Sequence, residues 1–223
     1  MSLKYRCLIL DHDDTVVDST ATVHYPAYLE MVKELRPGTE PVDLDGWFRK
    51  NFDPGILGFL RDELGFSDEE MQKEYTMWRT FVLSQRPHFY PGITDFLIRY
   101  ARQGGKIAVV SHSERDIIER DYRETGGRAV LPDVVFGWEM EEHQRKPHPW
   151  PVHEIMRQFS LEPGNVLIVD DLKPAVEMAH AAGVDIAAAG WAHQIPEIVS
   201  YMKKHATYYC RTVQDLETVV FGR

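Results

Sequence analysis

Cysteine is scarce in this chain. There are two, Cys7 and Cys210, too few and too far apart for the disulfide framework of a small secreted domain. Long apolar runs are missing as well: none approaches the roughly 18 residues needed to cross a bilayer. Residues Met1 to Arg6 contain no apolar signal segment. There is no basic excess, since 35 acidic against 25 basic residues leave a formal charge of −10. Such a surface repels polyanions, so neither nucleic acid nor an anionic membrane is an expected partner. Repeats and low-complexity tracts are also absent. The expectation is a soluble, cytoplasmic protein, monomeric or weakly homodimeric because no segment marks an obligate interface.

What is present is an ordinary globular composition, 43% hydrophobic and 27% charged over 223 residues. That length has room for one α/β domain and a smaller insertion. Short apolar runs recur, each followed by polar residues: Cys7 to Leu10 before Asp11, Ile107 to Val110 before Ser111, and Val166 to Val169 before Asp170. Val134 to Gly137 and Asp185 to Ala189 are further strand candidates. Runs that are apolar throughout suit parallel strands buried on both faces. Helical segments alternate with them. Asp95 to Arg102 stops at Gly104-Gly105, Ser113 with Asp116 resembles a capping box, and Pro174 opens a helix ending at Gly183. The pattern predicts an α/β fold, a doubly wound parallel sheet with a Rossmann-like core over residues 1–15 and 89–223. Residues 16–88 lack strand runs and predict an α-helical insertion. Its helices are Tyr25 to Leu35, Leu57 to Leu64 and Met71 to Leu83, the last capped by Ser67 and Glu70.

The polar clusters after the strands carry the chemistry. Asp11-His12-Asp13-Asp14 places two carboxylates two residues apart at a strand end. One can act as an ionised nucleophile and the other as an acid and base, although acid-rich loops also serve as helix and turn caps. Asp170-Asp171 is a second acidic pair at a strand end. Magnesium prefers oxygen ligands and takes one or two carboxylates, so this pair facing Asp11 would complete its shell. An acidic protein that binds phosphate must gather positive charge locally, from a metal ion and a lysine such as Lys146. Ser111, at a strand end before a helix, can hold a phosphoryl oxygen.

At this point the chain resembles the haloacid dehalogenase-like superfamily, in the phosphatase branch with a helical cap that includes proteins similar to phosphoglycolate phosphatase and β-phosphoglucomutase. Leu8 to Ser19 is similar to the first motif, Val109-Val110-Ser111 to the second, Lys146-Pro147-His148-Pro149 to the third and Ile168 to Asp171 to the fourth. Tyr90-Pro91-Gly92 resembles the return from the cap. The resemblance implies that Asp11 attacks phosphorus and ligates Mg2+, and that Asp13 is the acid and base and lends the metal its backbone carbonyl. It further implies that Ser111 and Lys146 bind the transferring phosphoryl group and that Asp170 and Asp171 complete the metal set. The implied substrate is a small phosphorylated metabolite. His24, Arg49 and Lys50 in the cap and His112 beside Ser111 are candidate substrate contacts. Asp14 departs from the family pattern, standing where glycine is common. The alternatives are a phosphomutase using the same residues, or a catalytically silent phosphate-binding protein in which Asp14 disables the loop.

Overall fold

Four buried apolar residues form the central strand β1 (Cys7–Leu10) of a computed structural model that describes residues 3–124 and 130–222. In chain order the other strands are β2 (Val17–Asp18), β3 (His88–Phe89), β4 (Lys106–Val110), β5 (Val134–Phe136), β6 (Val166–Asp170), β7 (Asp185–Ala189) and β8 (Tyr208–Cys210). Among the described residues, six strands make one parallel sheet in the order β5-β4-β1-β6-β7-β8. Leu8 pairs with Ile107 on one side and Leu167 on the other. From β1 the chain builds β4 and β5 outward, then crosses to the opposite side of β1 for β6, β7 and β8. That reversal places the crevice of a doubly wound sheet beside the carboxyl ends of β4, β1 and β6.

Side chains alternate along each strand, so the sheet buries both faces. Leu8, Leu10, Val109, Leu167 and Val169 share one core cluster with Ile93, Phe96 and Tyr100 of helix Ile93–Arg102, Ile118 and Tyr122 of helix Arg115–Glu124, and Leu216 of helix Val213–Phe221. Cys7, Ile9, Ala108 and Ile168 point the other way and are equally buried. Helices Trp150–Phe159, Lys173–Ala182 and Pro196–His205 pack side by side. Helix Lys173–Ala182 carries Pro174 in its first turn and ends at Gly183, whose φ of 68° suits a residue without a Cβ.

The chain divides into two units, Met1–Asp18 with His88–Arg223, and Ser19–Pro87. The expected core limits Met1 and Arg223 lie outside the described residues. Val16 to Asp18 and His88, expected in the insertion, belong to the first unit. The reason is a small antiparallel ladder, Val17 with Phe89 and Asp18 with His88, extended by the Tyr90 amide donating to Val16 O at 2.9 Å.

The second unit is helical. Helices Tyr25–Leu35, Leu44–Phe52 and Asp68–Ser84 are joined by shorter turns, and Tyr28, Met31, Val32, Trp47, Phe59, Leu60 and Phe66 form its core. Tyr28 and Trp47 stack with ring centroids 4.2 Å apart. The Ser67–Glu70 capping box is formed, with the Glu70 amide donating to Ser67 Oγ and the Ser67 amide to Glu70 Oε2. Arg36 ties the helices together, pairing with Glu70 and lying 4.2 Å over the Phe66 ring.

Candidate active site

Asp11 is the first residue beyond β1, and its amide continues the sheet by donating to Val169 O at 2.9 Å. Asp170 closes β6 and Asp171 follows it. Adjacent strands therefore deliver these three acids to one place: an oxygen from each lies within 4.8 Å of the others, and all three residues are buried. Lys146 comes from the loop before helix Trp150–Phe159 and reaches between them. Its Nζ is 3.0 Å from Asp11 Oδ1 and 2.7 Å from Asp170 Oδ2. Burial pulls the ammonium pKa down, but the two carboxylates outweigh it and hold Lys146 charged.

The two adjacent acids at the end of β6 sit in different surroundings. Asp170 spends Oδ2 on Lys146 and accepts the Leu172 amide at Oδ1 at 2.9 Å. Burial raises its pKa to about 7, with Lys146 opposing the rise. Asp171 is 3% exposed, yet neither of its carboxylate oxygens has a hydrogen bond among the described residues; His193 Nε2 lies 3.8 Å away. Burial, and then the charges of Asp14, Asp170 and Asp11, push its pKa well above the usual carboxylate range. A buried acid without a hydrogen bond among the described residues calls for a positive charge close by, and the oxygens of Asp11, Asp170 and Asp171 suit a hard divalent cation.

The loop after β1 is tight. His12 O accepts the amides of Val16 and Val17 at 2.9 and 3.1 Å, and the Asp14 amide donates to Val17 O at 2.7 Å. Asp14 has φ 55°, the left-handed region where glycine is easiest. Aspartate enters that region more readily than most side chains, so the loop keeps the turn that a glycine would give. Asp14 is 4% exposed, which adds a buried charge beside Asp171. His12 is buried with its Nε2 3.2 Å from Asp121 Oδ2, and Asp121 is in turn held by Arg120 at 2.7 Å.

Asp13 is half-buried and accepts a hydrogen bond at Oδ2 from Ser113 Oγ at 2.5 Å. Ser111 is buried at the end of β4, and its Oγ accepts the Ser113 amide at 3.2 Å. His112 is exposed and its Nε2 donates to Lys146 O at 3.1 Å. The first unit therefore gathers Asp11, Asp13, Ser111, His112, Lys146, Asp170 and Asp171 around the strand ends. His24, Arg49 and Lys50 lie in the second unit. His24 stacks on Trp78 and accepts its Nε1–H at 3.1 Å, while Lys50 is ion-paired with Glu63 at 2.5 Å.

Sequence reasoning missed Ser113, Asp121 and His193. Ser113 read as a helix cap, but the helix starts at Arg115 and the hydroxyl goes to Asp13, while Asp116 accepts the Ile117 amide instead. The only signal for Ser113 was its place two residues after Ser111.

Comparison with known proteins agrees with this architecture. Proteins named phosphoglycolate phosphatase from Nitrosococcus oceani and Mannheimia succiniciproducens are each 24% identical to the chain. The first alignment covers 83% of this chain and 84% of that protein, the second 82% and 84%. A crystal structure from Haemophilus somnus 129pt, described as a predicted phosphoglycolate phosphatase, shares the fold with a TM-score of 0.78 at 16% identity, covering 97% of this chain and 98% of that one. The family model described as haloacid dehalogenase-like hydrolase matches residues 8–189, from β1 to the end of β7, and the chain belongs to that family.

Proposed function

We propose that this haloacid dehalogenase-like phosphatase hydrolyses a small phosphomonoester through an aspartyl-phosphate on Asp11, with magnesium as its metal. The observation that carries the reading is the meeting of Asp11, Asp171 and Lys146 at the ends of adjacent strands. An ionised carboxylate beside a buried ammonium is a nucleophile that can accept an anionic substrate.

In the first step an Asp11 carboxylate oxygen attacks phosphorus. The bond from phosphorus to the leaving oxygen breaks, and Asp13 gives that oxygen its proton. In the second step Asp13, now a carboxylate, takes a proton from water as the water oxygen attacks phosphorus. The bond to Asp11 breaks, phosphate leaves, and both acids return to their starting states. Lys146 balances the phosphoryl charge, and the Ser111 hydroxyl bonds a phosphoryl oxygen. The chemistry that magnesium supplies when held by Asp11, Asp171 and the Asp13 backbone carbonyl, with Asp170 beside them, is charge neutralisation between two anions.

The relatives' name makes phosphoglycolate, a short phosphorylated acid, the first compound to assay. The test is a panel of alkyl phosphomonoesters, including 2-phosphoglycolate and sugar phosphates, together with p-nitrophenyl phosphate, each with and without magnesium. Sustained phosphate release that requires the metal and disappears in Asp11→Asn, with the fold retained, is expected. Near-wild-type turnover in that variant, or no turnover of any ester with magnesium present, would overturn the proposal. Phosphate release also separates this reading from a phosphomutase, which returns the phosphoryl group to its substrate.

A further inference from the structure

We infer that Ser113 is a positioning residue for Asp13, its hydroxyl gripping one carboxylate oxygen so that the proton for the leaving group is carried on the other. The inference rests on Asp13 being the acid of the proposed reaction.

The bond is short, 2.5 Å from Ser113 Oγ to Asp13 Oδ2, and joins residues 100 apart in sequence. A hydroxyl has one proton to donate, and here the carboxylate takes it. While Oδ2 accepts that proton, the acid form of Asp13 bears its own on Oδ1. The same bond restricts rotation about the last side-chain torsion of Asp13, which is otherwise broad and two-fold. An acid turned away from the leaving oxygen contributes nothing, so orientation is worth rate.

Ser113 is suited to this because it is itself held on several sides. It is 3% exposed, its amide donates to Ser111 Oγ at 3.2 Å, and its carbonyl accepts the Trp138 amide at 2.9 Å. Gly137 lies against the same backbone: a Cβ there would come within 2.8 Å of Ser113 O and 2.7 Å of Arg115 N. Only glycine permits that approach. The neighbouring residue His12 is fixed from the same segment, through Asp121. Both residues that follow the nucleophile are thus gripped by the chain between Ser113 and Asp121.

Leaving-group dependence tests the inference. An alkoxide needs a proton to depart, whereas nitrophenolate does not, so a misplaced acid harms alkyl esters selectively. We would measure kcat/KM of the full chain for p-nitrophenyl phosphate and for the panel's fastest alkyl phosphomonoester. In Asp13→Asn the alkyl ester should lose about 100-fold more than the aryl ester. Ser113→Ala should lose about tenfold on the alkyl ester, the rate equivalent of one hydrogen bond, with the aryl ester changed less than about twofold. Ser113→Thr, which keeps the donor, should recover most of the loss. Ser113→Cys, similar in size with a weaker donor, gives the same reading if alanine disturbs folding. If both esters fall equally in the serine variants, or neither falls, the positioning role is wrong. If both fall equally in Asp13→Asn, Asp13 is not the acid and the function itself is misread.

Discussion

Lys146 shows how one residue carries both stability and chemistry. It is a buried ammonium between two buried carboxylates, at 3.0 Å from Asp11 and 2.7 Å from Asp170. Removing it leaves like charges facing each other in a medium that solvates neither, and breaking such a pair from one side costs about 3–5 kcal/mol. Lys146→Met is expected to lose stability on that scale, read by urea unfolding, together with nearly all turnover. Adding Asp170→Asn should restore part of the stability and none of the activity, because it removes a stranded charge without replacing the phosphoryl-binding cation. A Lys146→Met protein as stable as wild type would show that the three groups do not interact as placed. The acids of this site were legible in sequence because they lie at or just beyond the ends of apolar runs, and Lys146 because it opens the proline-marked stretch Lys146 to Pro149. Ser113 was not, since its partner is 100 residues away and a serine before a helix has a nearer explanation in capping.

Helix Asp68–Ser84 brings a titratable group into a poor setting for its charge. Glu74 is half-buried, and burial pushes its carboxyl from the ordinary 4.5 up to about 7. The folded chain holds this proton more tightly than the unfolded chain. Its contribution is therefore full below about pH 4.5 and is lost as pH rises through about 7. Glu74→Gln should flatten that part of the pH dependence. The check is the denaturant midpoint of wild type and variant at about pH 5 and pH 7.5; identical pH responses would remove Glu74 as the cause. The helix itself was foreseen from its capping box and periodic apolar residues. Equally plain were β1, β6 and β7, whose apolar runs are buried on both faces. Strands β2, β3 and β8 were missed because two or three residues carry no period. Helix Leu44–Phe52 was missed although Asp43 caps it by accepting the Gly46 amide at 2.7 Å, because the glycine and flanking charges blur its apolar face.

Over the whole molecule the acidic balance has a local counterpart. Asp11, Asp14, Asp170 and Asp171 are buried together at the strand ends, with Lys146 as the buried ammonium among them. In the absence of a cation this concentration of negative charge opposes folding, which is why burial and mutual repulsion raise the pKa of Asp171. A ligand that binds only the folded state stabilises it by mass action, about 2.7 kcal/mol at 100 times its Kd. For a chain of this size that corresponds to a rise in Tm of roughly 5–10 °C. Magnesium should therefore raise the Tm of wild type, and a chelator should reverse the effect. Asp171→Asn makes the sharper test, because its effect should change sign. With chelator it should melt higher than wild type, having lost a buried carboxyl that accepts no hydrogen bond among the described residues; with magnesium it should melt lower, having lost a ligand. An equal magnesium shift in both proteins would mean that the cation binds elsewhere, and the orphaned carboxylate would then need another explanation. The inversion is informative because a simple packing defect at Asp171 would lower Tm in both conditions, whereas a carboxylate built for a cation is a liability only without one.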